Sequence, residues 1–469
     1  MPFWTKLLDG LTIAALALAL FDLISGGFTL YAGASVRISS HAVLRPVLIA
    51  LVLAAVRHVL WREQPLHQRL RAWLTRVAGD SRPALIPLAL GSRFGVLAVG
   101  FFAAVTFGIP RQGPFVVSSD PLTNLPARYD AGWYAGIATA GYQVEGDYTM
   151  QQNFAFFPAY PMLMRIGGYA IGAFDEGERD ETRTGRALWA GTLISIGAFV
   201  WGVVFLRRLT TEMIGAPEAD VGIALVAAYP FAVFFSAAYT ESLFLLAAVA
   251  TFYRFRRQEW ASAAAWGLLA GLTRPNGCML SAVLVCIIAE HLWRRWRSAA
   301  AESYNLPVAV MAAAAPGIGM LAYAAYVRSL TGDWLAWVRV QQAWGRDSNA
   351  APSLGNLINW LDDGILMTVI SRHPDDSLNA LGLLFVVLML WAVFSRVGFA
   401  AGVFVVLNIA PAVLSGGVLS MGRLSATMFP LFMALAAILP RPWVVPLLIV
   451  WAMGQGLVAT LFFTWHPPF

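Results

Sequence analysis

Carboxylates set beside arginines and aromatics, each at the edge of an apolar run, are the groups in this sequence that could do chemistry. Asp130 follows Arg128 and Tyr129 and precedes Trp133 and Tyr134. A carboxylate there can act as a general base, and aromatic rings suit the headgroup level of a bilayer, where they could also position a sugar by stacking. Asp130 could equally do no more than pair with Arg128 to order its loop. Glu241 follows Tyr239 and Thr240 at the start of another apolar run. A helix N-terminus favours negative charge, so Glu241 is either a second functional acid or a cap held through Thr240. Arg274, in Leu272-Thr273-Arg274-Pro275-Asn276-Gly277, interrupts two apolar stretches. An arginine at membrane depth costs about 2.5–3.5 kcal/mol even on a lenient scale, so it needs an anion such as a lipid phosphate, a watery cavity, or a snorkelling path to the interface. Arg423, just before Met428-Phe429-Pro430, is a second guanidinium able to grip a phosphate with two prongs. Gln341, Trp344 and Arg346 form one more polar and aromatic cluster, which packing on a bilayer surface explains almost as well. Asp120 and Asp147 are spare acids.

The elements that must position these groups are membrane helices. Of the 469 residues, 59% are hydrophobic and 12% charged, a balance that excludes a soluble globular chain. A span takes roughly 20 apolar residues. The sequence divides into about fourteen apolar segments, from 7–32 to 443–463, the first reading as an uncleaved span. The expected fold is an all-α polytopic membrane protein with about 13 spans plus one re-entrant or short segment.

Charge placement orients the chain. Lys6 is the only lysine, and arginines crowd residues 57–82, 254–257 and 294–297. The positive-inside rule makes those stretches cytoplasmic and puts 109–153, 329–378 and 415–425 on the opposite face. The crossings between 154 and 256 then need one segment that is not a full span: 154–174, with Pro158, Pro161, Gly167 and Gly168, or alternatively 220–238. The expected organisation is two extra N-terminal helices over 1–60, a basic loop over 61–82, and a catalytic core over 83–328 with its outer loop 109–153. An outer-face loop over 329–378 and C-terminal helices over 379–469 follow. Cys278 and Cys286 lie about 12 Å apart if both sit on one helix, too far for a disulfide.

The stretch from Asp130 resembles a known family. Asp130-Ala131, then Ile137-Ala138, Gly141-Tyr142 and Asn153-Phe154-Ala155-Phe156-Phe157-Pro158, is similar to the pattern of the PIG-V mannosyltransferases, which add the second mannose of the GPI anchor in eukaryotes. Tyr239-Thr240-Glu241 resembles the family's Tyr-Ser-Glu, and Arg274-Pro275-Asn276-Gly277 its Arg-Ser-Asn-Gly. Arg423 resembles an arginine motif common in membrane glycosyltransferases, with Leu424 where an aromatic is expected. The similarity spans approximately 84–430.

The resemblance implies a GT-C-type helical bundle that moves mannose, with inversion, from a polyprenyl-phosphate donor to an acceptor. Asp130 would be the base, with Glu241 beside it as a second catalytic group that orients the acceptor or binds a divalent ion. Arg274, Arg423 and Arg128 would meet the donor phosphate. Trp133, Tyr134, Tyr239, Asn276, Trp344 and Arg346 would bind sugar or acceptor. A divalent cation, Mn or Mg, is compatible with these residues but not required by them. The partners implied are the lipid-linked donor, a glycolipid, glycan or protein acceptor, and the bilayer, with no nucleic acid. The arginine-for-lysine bias and the lack of an evident ER retention signal fit a cell inner (plasma) membrane, with the site on its periplasmic face. The alternatives are a transferase for a different lipid-linked sugar, a transporter or flippase of lipid-linked sugars, disfavoured because no paired repeats are evident, and a non-enzymatic assembly protein. Metalloprotease histidine spacing, a Walker loop and a serine nucleophile elbow are all absent from the sequence.

Overall fold

The structure, a computed structural model, describes residues 3–25, 28–32, 36–40, 44–60, 85–110, 115–145, 147–297, 304–344, 374–414 and 420–466. The expected basic loop 61–82, Arg346 and most of the expected 329–378 loop lie outside the described residues.

At the N-terminus, α1 (Phe3–Ser25) and α2 (Leu44–Leu60) form a helical pair. Between them runs a short strand pair, the one sheet among the described residues of an otherwise helical chain. β1 (Phe28–Ala32) pairs antiparallel with β2 (Val36–Ser40), with Tyr31 opposite Arg37. The helix expected to continue through residue 32 ends at Ser25, and Phe28, Thr29 and Tyr31 of β1 are aromatic and β-branched types that favour strand. Arg57, expected in the basic loop, is a buried residue of α2, and its Nε donates to Asp9 of α1 at 2.8 Å.

The remaining helices build one bundle. In chain order they are α3 (Leu85–Phe107), α4 (Ala131–Ala140), α5 (Ala159–Ala170), α6 (Asp180–Met213), α7 (Ala216–Ala228), α8 (Glu241–Arg256), α9 (Trp260–Thr273), α10 (Leu280–Arg297), α11 (Leu306–Thr331), α12 (Pro374–Ala392), α13 (Phe399–Leu414), α14 (Met421–Thr427), α15 (Phe429–Ile438) and α16 (Arg441–Phe463). Helix α8 is apolar on all sides and buried almost throughout, so it is the centre of the bundle. It packs between α6 and α9. Helices α9 and α11 approach backbone to backbone because Gly271 is a glycine: a Cβ there would collide with the carbonyl oxygen of Pro316.

Among the described residues six helices are long and apolar enough to cross a membrane, or up to eight if two bent pairs each count as one span. The 13 expected spans are not shown, and several apolar segments fold as short or broken helices. Segment 154–174 folds as α5, whose 12 residues reach about 18 Å against a hydrocarbon core of about 30 Å. Segment 220–238 is broken too, since α7 and the 3₁₀ turn Pro230–Ser236 meet at 79°. Helices α14 and α15 bend by 73°.

The break after α7 frees backbone carbonyls that water cannot reach. Arg93, fully buried in α3, donates to the carbonyl oxygens of Ala227, at 2.7 Å, and Ala232. Gln455 of α16 donates to Ala227 and Tyr229 at 3.0 and 2.9 Å. These bonds satisfy the acceptors that the break exposes, as a non-helical stretch at membrane depth requires.

The path of α8, α9 and α10 sets the poles of the bundle. Helix α8 begins at Glu241 and ends in the basic stretch 254–257, α9 returns to Arg274, and α10 runs away again to the arginines of 294–297. Glu241 and Arg274 therefore share one end, and the arginine-rich turns share the other.

Candidate active site

Four residues from distant parts of the chain meet at the end where α8 begins. Asp130 stands at the N-cap of α4, but its carboxylate makes no capping bond. Instead Arg423 of α14 donates from Nη1 to Asp130 Oδ2 at 2.6 Å and from Nε to Glu241 Oε1. Arg274, the residue after α9, brings its Nη1 to 3.2 Å from the same Glu241 oxygen. Two guanidiniums and two carboxylates thus form one charge-balanced cluster.

Burial within the cluster is graded. Glu241 has no exposed surface, and its Oε2 has no hydrogen-bond partner among the described residues. The side chains of Arg423 and Arg274 are 9% and 12% exposed, and that of Asp130 is 21% exposed. Asp130 is therefore the member open to an incoming ligand. Thr240 does not cap α8 with its side chain, so Glu241 is held by the two arginines and not by a capping box.

Local backbone geometry explains how each residue is delivered. Tyr129, directly before Asp130, has φ 45°, and Ser420, at the N-cap of α14, has φ 64°. Left-handed non-glycine residues cost about 1–3 kcal/mol each and persist only where the surroundings dictate them. The Arg274 turn depends on Gly277, because a Cβ there would strike the carbonyl oxygen of Ala270. Asn276 donates from Nδ2 to Asn408 of α13 at 2.6 Å, and Asn408 is tied by its own Nδ2 to the Phe404 carbonyl at 2.8 Å. Asn379 of α12 accepts from the Gly422 amide at 3.1 Å, beside Arg423.

The expected binding residues divide. Arg128 does not reach Asp130. Its guanidinium is buried and donates to the carbonyls of Asn124, Ala127 and Phe463 at 2.7, 2.8 and 2.8 Å. Tyr239 is fully buried and Tyr134 is 4% exposed, so both lie behind the cluster. Burial pushes the Tyr134 hydroxyl up to about 12, which keeps it protonated next to Thr240. Trp133 is half-buried. It stacks on Phe156 at 5.9 Å between ring centroids and meets Trp344 edge-on at 5.8 Å.

That aromatic group is held from below. Phe154 and Phe157 are buried, and Tyr323 of α11 donates to the Phe154 and Phe156 carbonyls at 2.8 and 2.9 Å. Gln342 donates to the Tyr148 carbonyl at 3.2 Å, which docks the Trp344 segment on the same block. Asp120 and Asp147 do not join the cluster; in exposed turns the Thr123 hydroxyl and amide hold the Asp120 carboxyl, and the Thr149 amide and hydroxyl that of Asp147, below the usual carboxylate range. Among the described residues no group of three or more His, Cys, Asp or Glu side chains converges as a metal site would require.

Arg93, Asn379 and Asn408 were not singled out in the sequence. The signal for each is a lone polar residue in or at the edge of an apolar run, since such a residue must have a partner inside the bundle.

No curated protein sequence matches the chain. Among solved structures, it is similar to ArnT from Cupriavidus metallidurans bound to undecaprenyl phosphate, with 14% identity and TM-score 0.46, covering 83% of this chain and 78% of that one. It is also similar to the archaeal oligosaccharyltransferase AglB from Archaeoglobus fulgidus in complex with an inhibitory peptide and a dolichol-phosphate, with 12% identity and TM-score 0.38, covering 80% of this chain and 56% of that one. Residues 112–314 match the family described as Mannosyltransferase (PIG-V), an interval that includes Asp130, Glu241, Arg274 and Asn276 and leaves Trp344 and Arg423 beyond its end. Over residues 112–314 the chain is similar to the PIG-V mannosyltransferases.

Proposed function

We propose that this protein transfers mannose, with inversion, from a polyprenyl-phosphate mannose donor to a hydroxyl of a glycolipid, glycan or protein acceptor, at the outer face of a cell inner (plasma) membrane. The observation that carries the reading is Arg423 bridging Asp130 and Glu241, with Arg274 on the same glutamate. The basic turns at the far end of α8 and α10 support the outer placement of the cluster.

In the transfer the acceptor oxygen attacks C1 of mannose, the bond from C1 to the phosphate oxygen breaks, and its electron pair leaves with the phosphate. The acceptor proton passes to Asp130. The donor is a phosphodiester with one negative charge, and the departing polyprenyl monophosphate gains another, so cations held ready for it lower the barrier. Arg423 and Arg274 supply them, and Glu241 keeps both in place. The phosphate competes with Asp130 for Arg423, and its arrival frees the Asp130 carboxylate to accept a proton. Trp133 and Trp344 offer ring surface for a sugar beside α4. Arg128 and Tyr134 shape the loop and the floor.

The test is turnover of Asp130→Asn, followed as release of polyprenyl phosphate from polyprenyl-phosphate mannose in membranes that supply acceptor. Loss of the base lowers turnover by about 10²–10⁴-fold with folding intact. A variant that kept more than about a tenth of wild-type turnover would remove Asp130 from this role.

A further inference from the structure

We infer that Tyr239 is a positioning residue that couples the base to the phosphate-holding arginine, an inference that rests on the reading above. The side chain is fully buried, so it touches neither donor nor acceptor. It reaches both halves of the site by two separate chemistries. The hydroxyl accepts from the Asp130 amide at 3.1 Å and donates to the Arg128 carbonyl at 3.3 Å. Those two bonds clamp the peptides on either side of Tyr129, the residue with φ 45°. Without such a clamp a non-glycine residue relaxes toward the common backbone regions, and the Asp130 side chain swings with it.

The ring does the second task. The Arg423 guanidinium lies 4.6 Å from its centroid, within the range of a cation–π contact, while the hydrogen bonds of that guanidinium go to Asp130 and Glu241. Tyr239 is itself anchored. Its carbonyl accepts from Ser195 Oγ at 3.1 Å, and Ser195 shares a 2.8 Å hydrogen bond with Tyr160. A displacement at Tyr239 is thereby transmitted to Asp130 through the hydroxyl and to Arg423 through the ring.

Because the two chemistries reside in different atoms, they separate by substitution. Tyr239→Phe keeps the ring and deletes the clamp; it lowers kcat by about 10–100-fold, as misplacement of a reacting group does. Its affinity for a polyprenyl monophosphate is not weakened, because the ring against Arg423 is retained. Tyr239→Leu removes ring and hydroxyl together, lowering kcat similarly and weakening polyprenyl monophosphate binding by about tenfold. Full-chain protein in detergent, with thermal unfolding of each variant recorded alongside Asp130→Asn, provides the comparison. Wild-type kcat in Tyr239→Phe, with Asp130→Asn inactive, overturns the inference alone. Equal loss of kcat and of phosphate affinity in Tyr239→Phe also overturns it, since that is the pattern of a general packing defect. Wild-type turnover in Asp130→Asn overturns the underlying reading and the inference with it.

Discussion

Among the buried arginines of this bundle, Arg93 and Arg423 have partners that separate scaffold from site. Arg93 meets the backbone carbonyls that the break after α7 leaves open, and its ring neighbour is Phe199, 4.6 Å from the guanidinium carbon. Arg423 meets the carboxylates of Asp130 and Glu241. A carbonyl is a fixed dipole with no better partner to find, so Arg93 is a rivet. A carboxylate can exchange its guanidinium for an anion that enters the site, so Arg423 is placed to change partners. The difference teaches that an arginine at membrane depth is read by what it faces: Arg128, also held by carbonyls, belongs with Arg93.

That contrast can be broken by paired substitutions. Arg423→Met lowers turnover by about 10²–10³-fold, the usual cost of losing one group that stabilises the leaving charge. Arg93→Met acts on stability instead, with a loss of about 2–4 kcal/mol as two buried carbonyls lose a charged donor. It appears as a lower melting temperature with polyprenyl phosphate affinity unchanged. Reversal of the two phenotypes would erase the distinction.

Smaller effects sharpen the comparison. Arg274→Lys keeps the charge and loses the planar fork, and weakens binding of polyprenyl phosphate by about tenfold, measured as protection against heat unfolding. Equal protection of wild type and Arg274→Lys would leave Arg274 as a structural partner of Glu241 only. Asp130→Asn has the least intuitive outcome. It releases Arg423 from a competing carboxylate, so the variant that loses turnover binds polyprenyl phosphate tighter, by about three- to tenfold. Weaker binding in Asp130→Asn would mean that Asp130 and the phosphate do not compete.

Much of the site was legible in the sequence because its members are charged residues at the ends of apolar runs. Asp130, Glu241, Arg274 and Arg423 each stand out on that ground, and folding brings all four within one cluster. Which of them would touch was not legible, since Asp130 and Arg423 are 293 residues apart and only the packing of α4, α8 and α14 brings them together. The turning inward of Arg128 was hidden for the same reason: its acceptor at Phe463 lies 335 residues away. Tyr239 is expected to bind sugar or acceptor beside Glu241, yet it folds under the cluster behind the 3₁₀ turn that precedes α8.

The fold was legible as a helical membrane bundle but not in its number of crossings. Hydropathy counts apolar residues, whereas a crossing also needs an unbroken helix. Pro230 and the bend between α14 and α15 interrupt segments whose composition alone is that of a span. The strand pair after α1 escaped because Phe28, Leu30 and Tyr31 extend the hydropathy signal of the helix before them.

The most direct test of the account is a structure of the full chain with a polyprenyl monophosphate bound. The account predicts the phosphate between Arg423 and Arg274, with the 2.6 Å contact between Arg423 and Asp130 opened and the contact between Arg423 and Glu241 retained. A phosphate bound elsewhere, with Asp130 and Arg423 still paired, would contradict it.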